Sequence, residues 1–143
     1  MRAGRLPTVF ANGSAQRATG PNLGSFSGSN YIPRSGSWGV SLTREKYSLR
    51  ANWNYRGRQR RGQVAAGSSI EPGTYNWYTK RLYIDVQGEY FVWKRVAVFA
   101  NLRNVGAAYE DTEIYGPSTP EHAQFRQRLD HGSLWTFGVK GTF

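Results

Sequence analysis

The 143-residue chain contains no cysteine and few acidic residues, with 9 aspartates and glutamates against 19 lysines and arginines. The absence of cysteine excludes disulfides and cysteine-bound metal sites. Long hydrophobic runs are also missing, since only 38% of the residues are hydrophobic, and this excludes a transmembrane helix. It leaves membrane-spanning strands open, because such strands place every second residue on a polar side.

Enzyme signatures are missing as well, with no GxSxG, HExxH or Walker A motif in the sequence. His122 and His131 are nine residues apart and have no carboxylate partner at a recognisable spacing. Asp85 and Glu89 share a strand face, but roughly 13 Å of strand separates them, which is too far for a paired-carboxylate mechanism. We therefore predict no catalytic residues, no cofactor, no metal and no enzymatic activity.

The basic residues give the chain a net charge of +10, which is open to two interpretations. Arg50 and Arg56 occupy polar positions of one alternating segment, and Arg58, Arg60 and Arg61 follow directly after it. This placement favours two locations for the arginines over a nucleic-acid groove. They would lie in loops near anionic lipid and on the polar lumen wall of a barrel. The alternative is a small basic soluble β-barrel that binds nucleic acid and buries the apolar residues inside.

Strict alternation of apolar and polar residues dominates the sequence and is clearest in its last ten residues. A period of two indicates a strand with one apolar face, whereas a helix would scatter these residues around its axis. The soluble alternative for this last segment is the final strand of a β-sandwich. The same period predicts six strands, at about 8–16, 37–43, 47–56, 81–92, 96–103 and 134–143.

The connections between these strands alternate between short and long. Residues 44–46 and 93–95 form tight turns, whereas 17–34, 57–80 and 104–132 are long and polar or glycine-rich. Outer-membrane β-barrels have short turns on one side of the membrane and long loops on the other, with aromatic residues near both interfaces. We predict an all-β fold: an open, curved antiparallel meander of about six transmembrane strands. The aromatic residues near apolar strand ends are Tyr47, Trp53, Tyr55, Tyr90, Trp135 and Phe143.

Several of these segments resemble the C-terminal portion of a TonB-dependent outer-membrane receptor. They are VFAN (9–12), YIP (31–33), WGV (38–40), NWNYRG (52–57), LYID (82–85), VFANLRNV (98–105) and the closing strand 134–143. The resemblance implies that residues 1–143 are the C-terminal part of a 22-stranded barrel without its plug domain. It also implies energy-coupled uptake of a scarce nutrient such as a siderophore, vitamin or oligosaccharide, whose identity the sequence does not give.

The resemblance also implies a location in the outer membrane of a Gram-negative type of cell and a set of partners. These are outer-membrane lipid and lipopolysaccharide, the barrel-assembly machinery, and TonB only through the missing plug; nucleic acid is not expected. Residues 1–7 have no apolar stretch for a signal peptide, so we expect a truncated product or a piece of a longer reading frame. The assembly signal, or alternatively a simple lipid anchor, would be Trp135, Phe137, Val139, Gly141 and Phe143.

Ligand binding would use the long connections, where aromatic residues stand beside acids. Such a set could hold a sugar or a cationic chelate, although loop packing and solvation are the alternative. The residues are Tyr75, Trp77 and Tyr78 in the second long connection and Tyr109, Glu110, Asp111, Glu113 and Tyr115 in the third.

Overall fold

A computed structural model describes residues 7–15 and 32–141, which form an all-β fold. Apart from one short 3-10 turn at Glu121–Ala123, the regular elements of the described chain are ten strands, all paired antiparallel. No helix in this part of the chain is long and apolar enough to cross a membrane. The strands are β1 Thr8–Ala15, β2 Arg34–Thr43, β3 Tyr47–Arg56, β4 Gln59–Gln63, β5 Tyr75–Tyr78, β6 Arg81–Trp93, β7 Val96–Arg103, β8 Glu110–Tyr115, β9 Phe125–Leu129 and β10 Leu134–Gly141.

The main sheet contains six strands in the order β1-β2-β3-β6-β7-β10. These are the six segments predicted from the alternation, and only β2 begins markedly earlier than expected, at Arg34. Within the described residues β1 pairs only with β2 and β10 only with β7, so the sheet is open. The predicted extensions to Gln16 and to Phe143 lie outside the described residues. The 22-stranded barrel and the membrane location stay predictions.

A second, outer sheet lies in the long connections, in the order β4-β5-β8-β9. The prediction that 57–80 and 104–132 are loops is therefore wrong. The strand β4 follows β3, β5 precedes β6, β8 follows β7 and β9 precedes β10, so the outer sheet repeats the order β3-β6-β7-β10 of the main sheet. Its strands have four to six residues, and shifts of register interrupt them after Arg60 and Thr112. These interruptions hide the period of two in the sequence.

One face of the main sheet, the apolar face, carries the apolar positions of all six strands. Cross-strand pairing places them in rows, and residues directly opposite each other share a face. Trp135, Phe137 and Val139 on this face are 62%, 67% and 69% exposed. Two of the rows are Val40, Ala51, Val86, Leu102 and Trp135, and Leu42, Leu49, Gly88, Ala100 and Phe137.

The opposite face, the polar face, carries rows of polar side chains and a few rings. The ring of Phe10 lies over Gly39, and that of Phe99 lies over Gly138. Ala97 is the hydrophobic residue buried within the described chain, at 2% exposure, and it belongs to this face. The fold therefore buries little apolar surface within itself. One polar row is Ser41, Arg50, Gln87, Asn101 and Thr136.

Candidate functional site

The two faces of the main sheet continue into the outer sheet, and one ion pair shows which sides correspond. Arg81 lies directly opposite Arg56 on the polar face and forms an ion pair with Glu110 of β8. Glu110 and the residues that alternate with it therefore lie on the polar side. Trp77, paired with Glu113, occupies the other side, above the apolar face.

The predicted ligand residues are divided between these two sides. Tyr78 and Glu110 lie on the polar side, because adjacent strand residues point to opposite faces. Tyr109 ends the connection before β8 and contacts Arg128. The structure therefore does not bring the predicted set together in one cluster. The residues on the side above the apolar face are Tyr75, Trp77, Asp111, Glu113 and Tyr115.

Each acid of the predicted set is paired with an arginine. Glu113 accepts a hydrogen bond of 2.9 Å from Arg58, and Glu110 is bound by Arg81. Asp111 accepts two hydrogen bonds from Arg128, at 2.7 and 2.8 Å. These bonds hold the pKa of Asp111 below its usual value and raise that of the Arg128 guanidinium. Within the described residues no group of three or more histidines and acids could hold a metal ion.

Arginines also cover the aromatic rings above the apolar face. Arg58 lies 4.7 Å from the ring centroid of Trp77 and 5.6 Å from that of Tyr115. Arg60 lies 4.7 Å from the Tyr75 ring. These are cation–π distances, and the guanidinium heads remain partly open to solvent. This side of the outer sheet is therefore a surface of stacked arginines and aromatics.

On the polar side, a group of basic and aromatic residues joins the two sheets, and we call it the junction cluster. Arg61 lies 4.6 Å and Arg56 5.9 Å from the centroid of the Tyr78 ring. Gln59 is only 1% exposed, and among the described residues its Oε1 atom has no hydrogen-bond partner; the Nε atom of Arg56 is likewise buried and has no partner there. The cluster consists of Arg56, Gln59, Arg61, Tyr78, Arg81, Tyr83 and Glu110.

Of the junction cluster, the sequence predicts only Tyr78 and Glu110 as site residues, and it places Arg56 and Arg61 among the arginines of a polar lumen or of loops. Arg56 ends β3 and Arg81 begins β6, so both stand where a main-sheet strand meets a long connection. This position at a strand end is the feature of the sequence that could have indicated the cluster, because arginines beside long connections lie at the rim of a sheet. Their direct opposition depends on the register between β3 and β6, which the sequence does not show.

The predicted assembly residues lie along the edge strand β10. Trp135, Phe137, Val139 and Gly141 are paired with Leu102, Ala100, Val98 and Val96 of β7, respectively, on the apolar face. Phe143 lies outside the described residues. The strand therefore presents an apolar face, and within the described chain its second edge is unpaired.

The chain matches no family model, no curated protein and no solved structure, so the functional assignment rests on the residues described above.

Proposed function

We propose that the main sheet is part of the wall of an outer-membrane β-barrel. More specifically, we propose that it belongs to the C-terminal part of a TonB-dependent receptor that takes up a scarce nutrient. The observation that carries the barrel proposal is the exposed apolar face, which is continuous across six strands. Water-soluble proteins rarely expose an apolar patch larger than a few hundred Å², whereas a barrel wall presents such a face to lipid.

The positions of aromatic residues on the apolar face support a membrane-spanning orientation. Tyr47 is paired with Tyr90 near the tight turns, and Trp38 is paired with Trp53 towards the outer sheet. Aliphatic rows lie between these pairs. From Tyr47 to Tyr55 the strand rises roughly 26 Å along its own axis, which at a tilt of about 35–45° spans about 19–22 Å of the ~25 Å apolar band of outer-membrane barrels.

The unpaired edges of the sheet fit a larger barrel. As far as the structure describes the chain, the outer edges of β1 and β10 have unpaired backbone N–H and C=O groups, which lipid cannot satisfy. In our proposal further strands pair with these edges. The nucleic-acid alternative requires the apolar residues to be inside, and their exposure weighs against it.

In this proposal the outer sheet lies on the extracellular side of the membrane. Arg58, Arg60 and Arg128 lie on the side above the apolar face, where the phosphates of lipopolysaccharide would be. Arginine has five N–H donors, so Arg58 and Arg128 keep donors for phosphate beyond those that Glu113 and Asp111 accept, and this surface suits an anionic lipid layer. Lipopolysaccharide is therefore the lipid partner that we propose.

Fluorescence quenching tests the barrel proposal. The full chain is refolded into liposomes with brominated acyl chains, in two variants that keep a single tryptophan, either Trp135 or Trp77. We expect strong quenching of Trp135, which would face the acyl chains, and weak quenching of Trp77 on the outer sheet. Equal quenching of both, or a protein that stays in the aqueous phase, would contradict the proposal.

The receptor assignment needs a separate test, because other barrels share an apolar face. Sequencing the genomic region upstream of the codon for Met1 provides it. We expect a continuous reading frame that encodes a plug domain and about sixteen further strands, as in 22-stranded transporters. A stop codon followed by a promoter directly before Met1 would argue against the assignment.

A further inference from the structure

We propose that the junction cluster binds the anionic group of a small solute that carries a hydroxyl beside a carboxylate or phosphate. The site lies on the polar side of the sheet, where lipid does not reach. The inference deepens the proposed function by naming the chemical class of the cargo, and the interpretation of this solute as cargo rests on that function.

The charges of Arg56, Arg81 and Glu110 in the junction cluster do not balance. Arg56 and Arg81 are directly opposite each other on neighbouring strands, so their Cβ atoms are roughly 4.5–5.5 Å apart. Like charges in this arrangement destabilise a sheet. Glu110 is bound by Arg81, and the guanidinium of Arg61 shares the Tyr78 ring with that of Arg56. Arg56 and Arg81 thus bring two positive charges to the single carboxylate of Glu110, and a bound oxyanion would offset the difference.

Two buried polar atoms of the cluster lack a hydrogen-bond partner within the described part of the chain. The buried Nε–H of Arg56 has no acceptor, and the buried Oε1 of Gln59 has no donor. Leaving buried polar groups unpaired is costly, so such atoms indicate a missing partner. An oxyanion accepts from the guanidinium, and a neighbouring hydroxyl donates to the amide oxygen. Gln59 is the cross-strand partner of Tyr78, and Arg56 lies 5.9 Å from the centroid of the Tyr78 ring, so we infer that one solute combining the two groups would satisfy both atoms.

The rings of Tyr78 and Tyr83 lie beside the guanidinium groups of the cluster. The Arg81 guanidinium lies 4.8 Å from the ring of Tyr83 and also donates a hydrogen bond of 3.3 Å to its hydroxyl. The rings of Tyr78 and Tyr83 thus hold the three guanidiniums before any ligand arrives. A site whose donors are already oriented binds an anion without ordering long side chains first.

A side-chain NMR titration tests the inference, using the full chain in detergent micelles at low salt. The probe is malate, with succinate as the matched diacid without a hydroxyl and glycerol as the neutral control. We expect the Nε–Hε signals of Arg56, Arg61 and Arg81 to shift with malate, less with succinate and not with glycerol. The signal of Arg95, in the tight turn between β6 and β7, should not move.

Variants locate the site. Arg56→Gln should weaken malate binding by about tenfold or more, as expected when a charge-assisted hydrogen bond is lost. Arg95→Gln should bind like the wild type. Without malate, Arg56→Gln should melt at the same temperature as the wild type or higher, because it removes one of two opposed charges. This melting measurement distinguishes a lost site from a misfolded chain.

Several results would overturn the inference. They are the absence of malate shifts at Arg56, wild-type affinity in Arg56→Gln, or a response of Arg56 to vesicles with phosphate-bearing lipid but not to malate. The tryptophan quenching assay on the same proteins separates the two proposals. Binding of malate without membrane insertion would remove the barrel proposal alone, whereas insertion without binding would remove this inference alone.

Discussion

Asn104 ties the connection between β7 and β8 to the connection between β9 and β10. Its Nδ2 atom donates to the carbonyls of Ala108 and Gly132, at 3.0 and 2.8 Å, and its Oδ1 atom accepts from the N–H of Ala108 at 2.9 Å. Its backbone N–H donates to Asp85, and its backbone is left-handed, with φ of 52°. Asparagine tolerates this conformation better than most residues and provides both donors and an acceptor.

Replacing Asn104 should therefore loosen both connections. Asn104→Gly keeps the left-handed backbone and removes the side-chain bonds, so we expect the free energy of unfolding to fall by about 1–3 kcal/mol. Asn104→Ala should cost roughly 1 kcal/mol more, because alanine resists a positive φ. Urea unfolding in detergent micelles measures both values. Wild-type stability in Asn104→Gly would show that these bonds contribute nothing.

The ring of Phe99 on β7 occupies the space left by the missing side chain of Gly138 on β10. A Cβ atom on residue 138 would lie 2.5 Å from Cζ of Phe99. The group that approaches Gly138 is therefore a side chain, on the polar face. The pair fixes the register of the edge strand, because a slip of one residue would place the ring against a Cβ atom.

This contact predicts a specific cost. Gly138→Ala should lower the free energy of unfolding by about 1–3 kcal/mol through overpacking. Gly88→Ala is the matched control, since its Cβ would meet Leu49 at an ordinary 3.7 Å. Adding Phe99→Leu to Gly138→Ala should recover part of the loss in the same urea unfolding measurement. Equal stability of the two alanine variants would refute the role of the ring.

The main strands could be predicted from the sequence, and the outer strands could not, for a physical reason. A main strand such as Tyr47–Arg56 has a single apolar face over ten residues, which leaves a clear period of two. An outer strand such as Tyr75–Tyr78 has four residues and aromatics on both sides, so no period develops. The opposition of Arg56 and Arg81 also escaped prediction, because 24 residues separate β3 from β6 and leave the register open.

At the scale of the whole molecule, apolar and polar side chains lie on opposite faces of the main sheet rather than inside and outside a core. Val86 lies in the middle row of the apolar face, paired with Ala51 and Leu102, and the next residue, Gln87, lies on the polar face. In a lipid-facing wall, the cost of a charge depends on the face that carries it.

Arginine substitutions at these two positions should therefore differ sharply. In liposomes, Val86→Arg should lower the free energy of unfolding by about 2–4 kcal/mol, as for a charge near the bilayer midplane. Gln87→Arg, on the adjacent polar position, should change it by less than about 1 kcal/mol. Urea titration of the liposome-bound protein measures both. Similar costs at the two sites would mean that the apolar face does not contact lipid.

The tight turns of the main sheet have a consequence for the order of folding. Three residues join β2 to β3 and two join β6 to β7, so each hairpin closes a very short loop, and hairpins of this kind form in roughly 1–10 μs. Pairing of β4 with β5 brings together residues that belong to the two different hairpins, such as Gln59 and Tyr78. That contact must wait until both hairpins stand side by side, since closing the longer loop costs more entropy. We therefore expect the outer sheet to form last.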